Sequence, residues 1–452
     1  MLVVWLALLI GVSRAVVARL GMPGLTPVLA LWLVALPLCL GRLRSIFFAE
    51  IAAAVSIFAV VGYVHVLDEI LETRLAINGF FLICGLVHLA RHRRELRPVM
   101  RSPIVIALAL FVLQQLASGW LAGASDLPGI VRDRILMLLV FSCTAVLVCR
   151  PGGRRLTPAL ILFGTLMSLP VMLQEMSDPI RGLTEDGRAG GFYGQANVAG
   201  IMLSYGVACA GVLYLERAIS ARTLVALYLP LFVGLCCTAS RGALINALAA
   251  LSVTWIVELH RRWGRRGLVT ALAGVTAFVL VMAPVSEELV RATNRLDGVS
   301  SANVERLQDT VLALSGSTDA SDSMMTHDSG RLTLVDEALG LIARRPLFGY
   351  GTANFMQESA RSHVQFLEVL GENGFVGAAL YLALLATIAT ALTRMPPRMR
   401  PCAAVVITPW FLTHFHNHNL AESLQMNVAL GYVAGLATLA RVDARGLPDR
   451  AP

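Results

Sequence analysis

The chain has 452 residues, 56% of them apolar and only 15% charged, with a mean hydropathy of +0.70. Soluble domains carry about 25% charged residues and about 45–50% apolar ones, so the composition excludes a water-soluble enzyme, a disordered chain and a secreted disulfide scaffold. The net charge of +8 rests on 37 basic residues, all arginine, which sit in short gaps between apolar runs rather than in a basic stripe, and this argues against a nucleic-acid partner.

Apolar runs of some twenty residues recur along the whole length, each long enough to cross a hydrocarbon core about 30 Å thick. Hydropathy predicts spans over 2–20, 23–40, 47–68, 75–90, 103–123, 133–149 and 156–175. Seven more follow over 195–215, 222–238, 242–259, 268–286, 366–393, 402–416 and 424–440. Arg14 and Arg19 interrupt the first run, and several others are short, so the expected number is 12 to 14. No basic segment precedes the first run, which reads as a retained span and not as a cleaved leader. The eight cysteines contain no C-x-x-C, which fits small core residues better than a zinc site or a disulfide framework.

The expected fold class is an all-α polytopic membrane protein with one large extramembrane loop containing short helices. Four parts are expected: N-terminal spans over 1–175, central spans over 176–286, a loop domain over 287–365, and C-terminal spans with a tail over 366–452. The gaps at 42–44, 91–101, 150–155, 217–222, 261–266 and 394–400, with the tail after Arg441, hold 22 of the 37 arginines. With these spans they all fall on one side, which the positive-inside rule makes cytoplasmic, together with both termini. The other side receives 177–194, the turn Ser240-Arg-Gly242, the long loop and the turn near 414–422. The loop holds 11 acidic residues and 7 arginines, a composition suited to a translocated domain.

Within the loop, 303–314 is weakly amphipathic and 315–323 is rich in Ser, Gly and Asp. Leu332, Val335, Leu339 and Ile342 repeat at helical spacing, so a helix is predicted over 331–345, capped by Asp328 or Ser329 and stopped by Pro346. Pro346-Leu-Phe-Gly-Tyr-Gly351 is a glycine-punctuated turn. Ser362-His-Val-Gln365 has the form of a capping box, so the next helix is expected to start there and run into a span.

Three residues on this outer side stand out for chemistry. Arg241 lies between two apolar runs at the end of a span, where an ionised group is expensive and tends to be functional; the alternative is snorkelling to the headgroups. Arg331 falls in a first helical turn, which favours anions, so a guanidinium there makes sense if an anion docks beside it. The alternative is a solvated Arg331 paired with Asp328 or Glu337. His363 at a helix start faces the positive end of the dipole, which favours a neutral imidazole able to take a proton; the alternative is an ordinary surface histidine.

His414, His416 and His418 invite a metal reading, but on a helix His416 points away from the other two. Asp319, Asp322, His327 and Asp328 fall in a loose stretch, so no metal and no cofactor is expected. Two arginines and a neutral histidine at a membrane edge suit a lipid-diphosphate leaving group, with positive charge on the departing diphosphate and a base for the nucleophile.

Several segments together resemble the O-antigen ligase/polymerase superfamily of bacterial membrane glycosyltransferases. They are Arg188-Ala-Gly-Gly-Phe-Tyr-Gly-Gln-Ala-Asn197, Ser240-Arg-Gly242, Gly330-Arg331, Pro346–Gly351, and Ser362-His363 with Glu368-Val-Leu-Gly-Glu-Asn-Gly-Phe-Val-Gly377. The resemblance covers residues 185–390 and implies a GT-C-like membrane fold of the bacterial inner membrane, with a periplasmic loop and a periplasmic active site. It also implies metal-independent inverting transfer of a glycan from an undecaprenyl-diphosphate carrier to an acceptor hydroxyl. Arg241 and Arg331 would then grip the diphosphate, His363 would deprotonate the acceptor, and Arg188, Gln195 and Asn197 are candidate substrate contacts.

The acceptor would be lipid A-core in a ligase, another repeat unit in a polymerase, or a protein Ser or Thr in an O-oligosaccharyltransferase. Val364 stands where much of the superfamily has Asn after the histidine. Ala196 stands where protein-targeting members have Pro, and the ranking is ligase, polymerase, protein glycosylation. A reading of another class, a lipid-linked oligosaccharide flippase, fits the span number too. It predicts repeated halves and midplane polar sites instead of polar groups at one face.

Overall fold

The computed structural model describes residues 85–86, 88–124, 127–177, 188–191, 195–264, 266, 269, 335–352, 354–355, 365–415 and 424–444. The expected spans over 2–20, 23–40 and 47–68, nearly all of 268–286 and most of 75–90 lie outside the described residues, as do 303–314 and 315–323. Within them the chain is all-helical. The helices are α1 Arg93–Met100, α2 Pro103–Leu121, α3 Leu127–Val148, α4 Gly153–Ser177, α5 Ala196–Leu215, α6 Ala221–Thr238 and α7 Arg241–Trp263. Then come α8 over 335–344, α9 Gln365–Arg394, α10 Arg400–Thr413 and α11 Leu424–Ala444. The spans expected between 103 and 259 and beyond 366 coincide with helices to within a few residues. Among the described residues five helices, α2, α5, α6, α7 and α9, are long and apolar enough to cross a membrane.

Local chemistry explains the boundaries. Pro103 opens α2 behind an extended Ser102, where its missing N–H is no loss. The Ser220 hydroxyl accepts from the Thr223 N–H at 3.1 Å and caps α6. Arginine and histidine at 260–262 complement the carboxyl end of α7, and Gly264 ends it at φ 59°.

Helix α5 is the axis of the bundle, uncharged and buried almost all round, with α4, α6, α7 and α10 packed against it. Small residues allow that approach. A Cβ at Gly206 would lie 2.8 Å from Thr165 Cγ2, and one at Gly211 would lie 2.3 Å from Thr254 Oγ1. Two further pairs, α2 with α9 and α3 with α11, complete the packing. Ile106, Leu110 and Leu113 on α2 and Val225, Leu229 and Val233 on α6 form exposed apolar stripes, as lipid-facing surfaces do.

Those arginine-rich gaps that fall among the described residues gather at one end of this bundle. Arg154 and Arg155 both reach the Glu216 carboxylate, and Arg217 forks onto Glu258 at 3.1 and 3.2 Å. Arg262 joins Glu258 at 2.7 Å, and Arg261 donates to the Leu215 carbonyl at 3.2 Å. Cys402 contacts Glu216, Tyr432 donates to the Arg154 carbonyl, and Arg398 pairs with Asp443 at 2.8 Å. Burial and the Arg150 guanidinium hold the His92 imidazole below its usual range, which puts the 91–101 gap at the same end. A carboxylate as buried as Glu258 needs paired, hydrogen-bonded cations, and two arginines provide them.

One element departs from expectation. α9 covers the span expected over 366–393, but it is broken at Gly374, at φ 62° and ψ −165°. The break frees peptide groups that pair with the turn after α8. Tyr350 and Gly351 N–H donate to the Gly371 and Glu372 carbonyls at 2.8 Å, while Phe375 and Val376 N–H donate to Pro346 and Leu347 at 2.8 and 3.3 Å. These four bonds give the freed Gly371 and Glu372 carbonyls and the Phe375 and Val376 N–H groups new partners, as buried backbone requires.

Candidate active site

At the end opposite the arginine-rich gaps, three helix N-termini come together. α6 and α7 are joined by a two-residue turn in which Ala239 is left-handed at φ 46° and Ser240 is the extended N-cap of α7. Arg241 is the first residue of α7 and is half-buried. The first turn of α5 lies alongside: a Cβ at Gly200 would be 2.7 Å from Ala243 Cβ and 3.0 Å from Ser240 Cβ. The N-caps Gln195 and Ser240 make no side-chain capping bond, and the first intrahelical bonds start only at the Ala199 and Leu244 N–H. Two positive helix ends thus flank one guanidinium, an arrangement suited to an anion.

The third N-terminus is that of α9. Gln365 N–H donates to the His414 carbonyl at 3.1 Å, at the end of α10. The neighbouring Thr413 hydroxyl accepts from Asn246 Nδ2 at 2.8 Å, and Asn246 lies on α7 five residues beyond Arg241. The His414 imidazole is buried among Trp410, Tyr381, Phe366 and Phe411, with Nδ1 2.7 Å from the Trp410 carbonyl. The start of α9 is thereby tied through α10 to the helix that carries Arg241. His363 precedes Gln365 by two residues, and it lies outside the described residues, as does Arg331.

Arg188, Gln195 and Asn197 all belong to this end. Arg188 Nε donates to the Thr238 carbonyl at 2.8 Å, Arg188 Nη2 donates to Asn197 Oδ1 at 2.6 Å, and Ala189 N–H donates to the Cys237 carbonyl at 3.0 Å. The segment therefore closes the carboxyl end of α6, where orphan carbonyls and negative dipole favour a guanidinium. Gly191 at φ 55° threads it past α4, where a Cβ would stand 2.6 Å from Met172. Gln195 and Asn197 are exposed.

Sequence reasoning missed several polar residues here. Arg134, two turns into α3 from this same end, is only 2% exposed. Asn246 and Thr413 are fully buried. Ser118 donates to Asn373 Oδ1 at 2.8 Å and Thr352 donates to the Gln115 carbonyl at 3.0 Å, a buried polar link between α2, the 346–352 turn and the break in α9. Glu368 and Glu372, one turn apart, are buried as well. Their signal was present, since polar groups inside apolar runs are functional or structural by default.

The helices define a polytopic, all-α membrane protein with a first-turn arginine, Arg241, at the end opposite its arginine-rich gaps. Residues 226–382 match the O-antigen ligase family model, so that stretch is similar to the O-antigen ligase-like superfamily. The match takes in Arg241, the broken helix α9 and the positions of Arg331 and His363, and it supports a ligase- or polymerase-type activity. No curated protein matches the chain.

Proposed function

We propose that the chain is a periplasmic-face glycosyltransferase of the inner membrane that moves an undecaprenyl-diphosphate-linked O-antigen glycan onto a hydroxyl of lipid A-core. The observation that carries this reading is Arg241 at the first position of α7, beside the N-terminus of α5. A cation at a helix start is unfavourable unless an anion is bound there, and a lipid diphosphate is an anion delivered at that depth.

In this reading His363 takes the proton of the acceptor hydroxyl as its oxygen attacks the anomeric carbon from the face opposite the diphosphate. The anomeric carbon–oxygen bond breaks and the electron pair leaves on the diphosphate. Arg241, Arg331 and the N–H groups of the α5 and α7 first turns stabilise that charge. A single displacement inverts the anomeric centre. The ties from Gln365 to His414 and from Thr413 to Asn246 hold the start of α9 in register with Arg241, which such a step needs to within a fraction of an ångström.

The envelope glycans of a strain lacking the chain test the acceptor. Polymer held on the lipid carrier with bare lipid A-core is the expected result. Core capped by one repeat unit would show a polymerase instead, and normal lipopolysaccharide with loss of a glycosylated protein would show an O-oligosaccharyltransferase. Carrier-linked glycan trapped on the cytoplasmic leaflet would show a flippase.

A further inference from the structure

The turn between α8 and the break in α9 is apolar where a solvated loop would be polar. Leu347 is 61% exposed and Phe348 57%. Beside them Phe375, through its N–H to Pro346, is 56% exposed, and Val376 is exposed as well. On the adjoining helix α2, Trp120 and Leu121 are 69% and 68% exposed, next to Ala122, against which Gly351 packs. These six side chains share one corner of the bundle.

Helix lengths give the depth of that corner. Beyond the break, Phe375–Arg394 is a run of 20 residues, about 30 Å long, which matches the hydrocarbon thickness. Helix α2, packed beside it, runs 19 residues from Pro103, just after Arg101, to Leu121. Both helices place arginines at one water boundary, so Phe375, Trp120 and Leu121 stand at the other, the level where tryptophan concentrates in membrane proteins. Hydrogen bonds from Phe375 and Val376 to Pro346 and Leu347 fix the turn at that level. Arg345 stacks its guanidinium 4.7 Å from the Tyr350 ring, and Arg344 beside it is exposed, which sets cations at headgroup height one residue before the turn.

We infer that the 346–348 turn is an interfacial anchor, with Leu347 and Phe348 inserted among the lipid chains just below the headgroups and with Phe375, Val376, Trp120 and Leu121 completing the same lipid-facing patch. The occupant of the patch is the bilayer. Its surface continues the exposed stripe of α2 that runs through Ile106, Leu110 and Leu113. The anchor holds α8 against the membrane surface, and it does so whether or not the chain transfers glycans.

Depth measurement on the full chain reconstituted in phosphatidylethanolamine–phosphatidylglycerol vesicles tests the anchor. A genetically encoded environment-sensitive fluorescent residue replaces Phe348 in one sample. The exposed mid-span Leu382 and the exposed Glu337 of α8 are replaced in two reference samples. The position-348 reporter is expected to lose most of its emission to a nitroxide carried near the top of the acyl chain and little to aqueous iodide, with the opposite pattern at 337. The deep nitroxide should act best at 382. Iodide quenching at 348 equal to that at 337 would overturn the anchor. Protection from both quenchers would also overturn it, because a second copy or another protein would then cover the patch. The same reporter in place of Leu347 guards against a local distortion at one site.

Discussion

Replacing Arg241 with alanine is expected to lower glycan transfer by about two to three orders of magnitude, the usual loss when a group aimed at developing negative charge is removed. The fold should survive. Arg241 is half-buried at the first position of α7, and a cation there opposes the helix dipole, so the truncation relieves an unfavourable term of about 0.3–1 kcal/mol instead of creating one. Arg241→Lys should recover only part of the rate, since an ammonium keeps the charge but lacks the planar fork that grips two phosphate oxygens. Transfer rate and melting temperature measured on the same samples check this. A loss below tenfold, or a large drop in melting temperature with Arg241→Ala, would mean that the residue only supports the α6–α7 turn.

Gly374→Ala should do the opposite, damaging the fold first. The residue sits at φ 62°, and its added Cβ would stand 2.3 Å from the carbonyl carbon and oxygen of Leu347. Neither atom is free to move, because Val376 N–H is bonded to the same carbonyl at 3.3 Å. Left-handed strain together with a backbone clash costs about 3–5 kcal/mol, enough to unfold the junction between the 346–351 turn and α9. Gly349→Ala meets the Glu372 carbonyl at 2.5 Å and should behave alike. Gly340→Ala on α8, with no atom within 4 Å of the new methyl, should be neutral or stabilising by up to about 1 kcal/mol. Melting curves and monodispersity in detergent separate the three; equal stability of all of them would contradict the paired break.

Much of this fold is legible in the sequence, because a membrane span is a property of summed hydropathy, and nine expected spans coincide with helices. The arginine gaps are legible for the same reason: Arg154, Arg217, Arg262 and Arg398 mark helix connections that the structure brings to one end of the bundle. The break at Gly374 was not legible as a break. The apolar pattern runs on through Phe375 and Val376, and a lone glycine in a helical pattern is compatible with an unbroken helix. The Pro346–Gly351 turn read as a connector because nothing local reveals that its N–H groups will meet the carbonyls of residues 371 and 372.

The candidate site divides in a similar way. Arg241 is conspicuous as a charge between apolar runs, and the structure sets it beside two helix N-termini. Arg188 and Asn197, the candidate substrate contacts, pair with each other, and Arg188 also donates to the end of α6. Asn246 and Thr413 were hidden because hydropathy says nothing of which helix face a polar group takes. For Arg331 and His363 the assignment continues to rest on the sequence motifs, now inside the matched stretch of residues 226–382.

The most direct measurement of the central claim is glycan transfer in membranes of a strain lacking the chain, which hold native donor and acceptor, supplied with purified wild type or His363→Ala. The account predicts that wild type joins carrier-linked glycan to the acceptor, while His363→Ala remains folded, still retains the carrier-linked donor and transfers none of it. Transfer by His363→Ala at the wild-type rate would contradict the account and remove the base from the mechanism.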